Sequence, residues 1–249
     1  MKNLTQVILG AAGLMTAFAG HAHAQASWAL TGAVDVQSDY RFRGISQNDR
    51  DPALQGMLNL SGPDGFYIGA WASKIDWRMG GLDGNPSVEL DLYGGKHFDL
   101  GGSDLNVEAY YYAYPDADSF GGPKASFFEG IFQLSHVIGP LTLTGTYAVS
   151  PEFSLGGGTG NDVAGTAAYT LNDWLSVSAN VGHQWVAAAP SDYSYGDIGV
   201  TAMWRNFALD LRYSGTDLGS GDCAFYMGTR NACNGGLVAT LSYNISLLP

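Results

Sequence analysis

Basic residues are scarce in this chain, cysteine is nearly absent, and past the N-terminal segment no long apolar run occurs. Each shortage excludes something. Only 11 Lys and Arg stand against 23 Asp and Glu, a formal net charge of −12. That balance repels phosphate backbones, so nucleic acid is not an expected partner. Cys223 and Cys233 are the only cysteines. No histidine lies near them and they do not form a C-x-x-C pair, so neither a zinc site nor a redox motif is expected. The acids Asp49, Asp51, Asp116, Asp118, Glu152, Asp162, Asp217 and Asp222 are scattered and match no calcium-loop spacing. They read as solvated loop residues, and no metal or cofactor is expected. The one early apolar run, 7–19, is too short for a spanning helix.

That run has a different use. Lys2 precedes it, and Ala22, His23 and Ala24 follow as a small-x-small cleavage site. The pattern predicts a secretory signal peptide over 1–24, cut after about Ala24, and an exported domain over 25–249. Export suits a disulfide between Cys223 and Cys233, set in a polar, glycine-rich stretch expected to lie exposed in an external loop.

What is present is alternation. Apolar and polar residues take turns, block after block, with Gly, Pro, Asn and Asp between the blocks. The pattern predicts strands over 28–46, 52–61, 65–77, 86–98, 103–114, 124–137, 140–150, 161–171, 174–186, 193–204, 207–216 and 235–247. The connections alternate too. Those at 61–65, 99–102, 138–139, 172–173 and 205–206 are short; those at 47–51, 78–85, 115–123, 151–160, 187–192 and 217–234 are longer. Short turns at one end and long loops at the other are the plan of a transmembrane antiparallel up-and-down β-barrel, with periplasmic turns and external loops. About 12 strands are expected, and the fold class is all-β.

The faces point the same way. Residues 207–214 set Phe207, Leu209, Leu211 and Tyr213 against Ala208, Asp210, Arg212 and Ser214. One side suits lipid and the other a wet lumen. Trp28, Phe66, Phe98, Trp174, Trp204 and Phe207 all fall beside short turns or the N-terminus, where an aromatic girdle meets the headgroups. Tyr40, Phe42, Trp77, Tyr111, Tyr112, Tyr147, Trp185 and Tyr213 fall toward the long loops as parts of a second ring. By parity the lumen holds Asp35, Asp39, Arg41, Arg43, Glu89, Asp91, Glu108, Glu129, Asp210 and Arg212. Arg41 and Arg43 are expected one pleat apart on the first strand, as its positive patch.

The run SDYRFRGISQNDRDPALQG, with GFYIGAWASKID and VELDLYGGK, resembles the TorF family of porin-like proteins. The likeness is densest over 34–96 and rests on Ser38, Asp39, Tyr40, Arg41, Phe42, Arg43, Gly44, Pro52, Ala53, Gln55 and Gly56. It implies an outer-membrane barrel of a Gram-negative bacterium and brings no catalytic residues. Such barrels end on an aromatic residue read by the assembly machinery; this chain departs from that and ends Leu248, Pro249.

The expected partners are outer-membrane lipid, that assembly machinery and small solutes; the sequence leaves the oligomeric state open. Two uses of the lumen charges remain. Either they make a field that sorts solutes, or they pair into a plug that braces a narrow barrel. A barrel acting through its external loops as a structural or adhesive protein is the alternative. An outer-membrane hydrolase is the least favoured reading: His97, His136 and His183 form no triad pattern with a serine.

Overall fold

The computed structural model describes residues 28–78, 86–117 and 124–248. The expected signal peptide, Asp118, Pro249 and parts of the loops at 78–85 and 115–123 lie outside the described residues. In chain order the elements are β1 (Ala29–Gln37), β2 (Arg41–Phe42), β3 (Ile45–Ser46), β4 (Ala53–Ser61), β5 (Phe66–Lys74), β6 (Val88–Asp99), β7 (Ser103–Ala113) and β8 (Phe127–Ile138). They continue with β9 (Leu141–Ser150), β10 (Gly160–Asn172), β11 (Leu175–Val186), β12 (Tyr193–Trp204), β13 (Phe207–Thr216), α1 (Ser220–Met227) and β14 (Gly236–Leu248). β1 and β4 to β14 close into one antiparallel barrel, in which β1 pairs with both β4 and β14. β2 and β3 pair only with each other.

The wall strands run from 9 to 13 residues, long enough for a tilted strand to cross a hydrocarbon core. Their burial is inverted relative to a soluble protein. Along β13, Leu211 and Tyr213 are exposed while Asp210 and Ser214 are buried. Along β11, Val181 is 65% exposed and Gln184 is 1% exposed. An apolar band of this extent facing outward, around a polar interior, needs an apolar solvent.

Inside, tyrosines lie over glycines of neighbouring strands. The Tyr195 ring covers Gly182, so closely that an added methyl there would overlap the ring. Gly182→Ala is therefore expected to displace Tyr195 and cost about 1–3 kcal/mol as an overpacking change. Equilibrium unfolding in urea checks it; an unchanged midpoint would mean that the ring has free room.

One expected strand is corrected. The first strand does not continue to 46. The wall pairing ends at Ser38, whose N–H donates to Ala239 O at 2.8 Å. The chain then turns into the lumen, and residues 39–48 are almost entirely buried. β2 and β3 form a hairpin with Arg43 (φ 47°) and Gly44 (φ 80°) as its two turn residues. Both are left-handed, as a two-residue primed turn requires. Gly44 suits that conformation, and it also packs against Gly215 O, where a side chain would collide. Alternation alone cannot separate a long wall strand from a short strand followed by an infolded hairpin, because both keep a period of two.

Candidate functional site

The hairpin bridges the long-loop mouth of the barrel, and Arg43 stands at its tip. β1 lies on one side of the ring; β8 and β10, which Arg43 reaches, lie on the opposite side. Its guanidinium donates from Nη1 to Glu129 Oε1 at 2.9 Å and from Nη2 to Glu129 Oε2 at 2.8 Å. Nη1 also donates to Gln184 Oε1 at 2.5 Å, and Nε lies 3.5 Å from Asp162 Oδ2. Behind the acids, Tyr112 donates to Glu129 at 3.1 Å and Tyr195 to Asp162 at 3.0 Å. A bidentate arginine–carboxylate pair with satisfied outer oxygens is the strong form of such a contact. It holds a non-glycine residue in left-handed backbone, a strain of about 1 kcal/mol or more that the docking outweighs.

Arg41 works at the root of the hairpin. It pairs with Asp39 at 2.7 Å. Its Nη1 donates to Gly44 O at 3.1 Å, Ser214 O at 3.0 Å and Asn234 O at 2.9 Å. The expected positive patch is thus corrected: Arg41 and Arg43 are off the wall strands, and each is neutralised by acids. Tyr40 and Phe42 are corrected with them. Tyr40 is buried and donates to Glu89 Oε1 at 3.1 Å, and Phe42 packs edge-on against Tyr112. Trp77 and Tyr112, assigned to the outer ring, are also buried inside; the Trp77 indole N–H donates to Gln47 Oε1 at 3.0 Å. Tyr111, Tyr147, Trp185 and Tyr213 are exposed on the outside.

The last loop clamps the hairpin at its root, beside β1. Ser46 N–H donates to Ala232 O at 2.9 Å, so both β3 and Arg41 are tied to residues 232–234. Cys223 and Cys233 are bonded to each other. They are buried, not exposed as the sequence suggested. The bridge joins α1 to the segment that holds the hairpin. In α1, burial and the nearby Asp192 and Asp222 push the Tyr226 phenol up to about 12. It therefore stays protonated at neutral pH and donates to Ser191 O at 2.8 Å. Reduction of the disulfide frees the short loop that holds residues 232–234 against the hairpin. We expect it to speed hydrogen exchange at Ser46 while leaving the barrel's unfolding midpoint nearly unchanged. Equal exchange before and after reduction would contradict the clamp.

The remaining predicted lumen residues divide into two walls. Arg212 pairs with Asp210 and Asp197, each at 2.6 Å. Asp35, Glu89, Asp91 and Glu108 are buried on inner faces, and among the described residues no Lys or Arg lies within ion-pair reach of them. Three of these four stand on β6 and β7, and there tyrosines take the place of cations. Tyr110 donates to Asp91 at 2.9 Å, Tyr67 to Glu108, and Tyr40 to Glu89. The rings form a column: Tyr67 to Tyr93 at 6.3 Å, Tyr93 to Tyr110 at 5.3 Å, Tyr110 to Tyr112 at 4.5 Å, and Tyr112 to Phe127 at 4.4 Å.

Sequence reasoning missed this column, as well as Asp197, the contact of Gln184 with Arg43 and the position of Asp162. Asp162 was set among loop acids, yet it lies inside β10 and is buried. Inner-face parity on β10 and β12 was the signal that could have found Asp162 and Asp197. Trp28, Phe66, Phe98, Trp174, Trp204 and Phe207 are all exposed, at the short-turn end of the barrel. Ser103 meets His136 at 2.9 Å on the outer face, and His97 meets Asp104 at 2.7 Å on the inner. The two pairs stand on opposite sides of the sheet and do not combine into a nucleophile–base–acid chain.

The sequence profile of a bacterial protein family of unknown function, Gcw_chp, matches residues 21–244. No curated protein matches the chain. Solved structures do, as folds. The KdgM porin in complex with disordered oligogalacturonate superposes with a TM-score of 0.56 at 6% identity, over 88% of this chain and 99% of that one. The NanC porin gives 0.51 at 10% identity, over 88% and 100%. An outer-membrane channel from Pseudomonas putida F1 gives 0.51 at 13% identity, over 92% and 98%. At these identities the likeness is one of fold, and the fold of this chain is a closed antiparallel β-barrel of 12 strands.

Proposed function

The chain belongs to Gcw_chp, a bacterial protein family of unknown function, and from that premise we propose a porin-like outer-membrane barrel that gives small solutes passive, charge-influenced passage. The TorF likeness of its first strands fits this reading. In it, residues 1–24 are the signal peptide, the exposed apolar band meets outer-membrane lipid, and the assembly machinery inserts the barrel. The observation that carries the proposal is the polar lumen narrowed by an ion-paired hairpin. Eight strands leave a filled interior and about 16 an open channel, so a barrel of 12 passes solutes only through what its side chains leave free. Because Arg41, Arg43 and Arg212 are paired with acids, while among the described residues no Lys or Arg pairs Asp35, Glu89, Asp91 or Glu108, the passage favours cations.

Planar-bilayer recording of the refolded protein tests this. Small discrete steps with a cation-favouring reversal potential are expected. The packed mouth, where Tyr40, Ile45, Trp77, Tyr114, Phe127 and Met227 belong to one buried cluster, favours a second reading: a non-conducting structural barrel. A silent bilayer with well-folded protein would select that reading and sink the channel.

A further inference from the structure

Arg43 is a side chain, but it is bound as a ligand would be. The polar groups that hold it come from three wall strands, β8, β10 and β11; from its own hairpin the Phe42 ring lies against the guanidinium, 4.7 Å from Cζ. Each is oriented without help from the arginine. The Gln184 amide nitrogen donates to Trp185 O at 3.0 Å, which turns its carbonyl oxygen into the lumen. The Tyr112 and Tyr195 hydroxyls fix the carboxylates of Glu129 and Asp162. Glu129, Asp162 and Gln184 are all nearly fully buried. Removing the guanidinium would leave a preformed cradle with two carboxylates and one amide oxygen, spaced for a planar fork of N–H donors. An ammonium offers a point charge and cannot make the parallel pair of bonds to Glu129.

We propose that Glu129, Asp162 and Gln184 form a guanidinium subsite of the lumen, occupied in this structure by the chain's own Arg43, and that solutes bearing a guanidinium group compete for it. This rests on the reading that the lumen admits small cations, and it names their class. Glu89, Asp91 and Glu108, which no Lys or Arg pairs among the described residues, line the adjoining wall. Competition frees the hairpin tip, so the solute that fits the subsite also releases its occupant. A tethered side chain acts at an effective concentration of about millimolar, so free solute binds wild-type protein weakly and an emptied subsite more tightly.

The test is chemical rescue. Arg43→Ser protein, refolded in detergent, is melted with ethylguanidinium or ethylammonium at low millimolar concentrations, far below denaturing levels. The subsite predicts that ethylguanidinium raises the midpoint and ethylammonium does not. It also predicts that wild type shows no shift at these concentrations, because the tethered Arg43 side chain already occupies the subsite. Adding Glu129→Gln to Arg43→Ser should abolish the response. No response, an equal response to ethylammonium, or a response that survives Glu129→Gln would each overturn the proposal. If Arg43→Ser does not refold, Arg43→Lys keeps a cation during folding and supports the same comparison. Melting does not depend on conduction. A rescued midpoint with silent bilayers would sink the channel and leave the subsite, whereas open channels with no rescue would sink the subsite alone.

Discussion

Glu129→Gln is expected to undock the hairpin. The substitution keeps the shape of the side chain and removes the charge that faces the Arg43 guanidinium at 2.9 and 2.8 Å. Stranding one partner of a buried pair costs about 3–5 kcal/mol. The lower end applies here, because Asp162 still lies 3.5 Å from Nε. The loss falls on the hairpin first. The wall ladders of β1 with β4 and β14 do not involve Glu129, so the barrel itself should unfold at nearly its original midpoint. Hydrogen exchange separates the two levels. Ser46 N–H, bonded to Ala232 O, and Gln47 N–H, bonded to Tyr40 O, should lose protection by about a hundredfold or more. Amides in the middle of β1 should not change. Uniform loss across the wall would mean that Glu129 braces the barrel and not the hairpin.

Excising the hairpin should have the larger effect on passage. Tyr40 O and Gln47 N lie 2.7 Å apart, so residues 41–46 can be removed and the gap closed with a pair of glycines without straining the wall. Two effects then add. The bridge across the mouth is gone, and with it Arg41 and Arg43, while Glu129 and Asp162 remain on the far wall. Unitary conductance should rise severalfold and cation preference should strengthen, since two cations leave and their acids stay. Unchanged steps would show that the constriction lies elsewhere along the lumen.

The closed wall was legible because each strand carries its own evidence. β13 sets Leu209 and Leu211 outward and Asp210 inward, and a one-residue slip would put a charge into lipid. Turns such as that at Arg205 and Asn206 fixed the pairing locally. The hairpin was not legible for the opposite reason. Asp39, Arg41 and Arg43 keep the parity of β1, so the alternation is the same whether the backbone continues along the wall or folds inward. The turn at Arg43 and Gly44 carries half of the usual signal, since arginine is a poor left-handed residue. The partners that make it worthwhile, Glu129, Asp162 and Gln184, are 86 to 141 positions away. The tyrosine column was hidden by the same rule that was applied to the girdle. An aromatic residue near a strand end fits either face, and Tyr112 differs from its neighbour Tyr111 only in parity.

The central claim is that Arg43 crosses the lumen and docks on the far wall. A double-mutant cycle on Arg43 and Glu129, read by hydrogen exchange at Ser46 and Gln47, tests it most directly. Arg43→Ala, Glu129→Ala and the double variant should each expose these amides, and the double variant should be little worse than either single one. The coupling energy should exceed about 1.5 kcal/mol, as for close, desolvated charge pairs. Additive effects, with a coupling near zero, would mean that the two side chains do not meet, and that the first long loop stands outside the barrel.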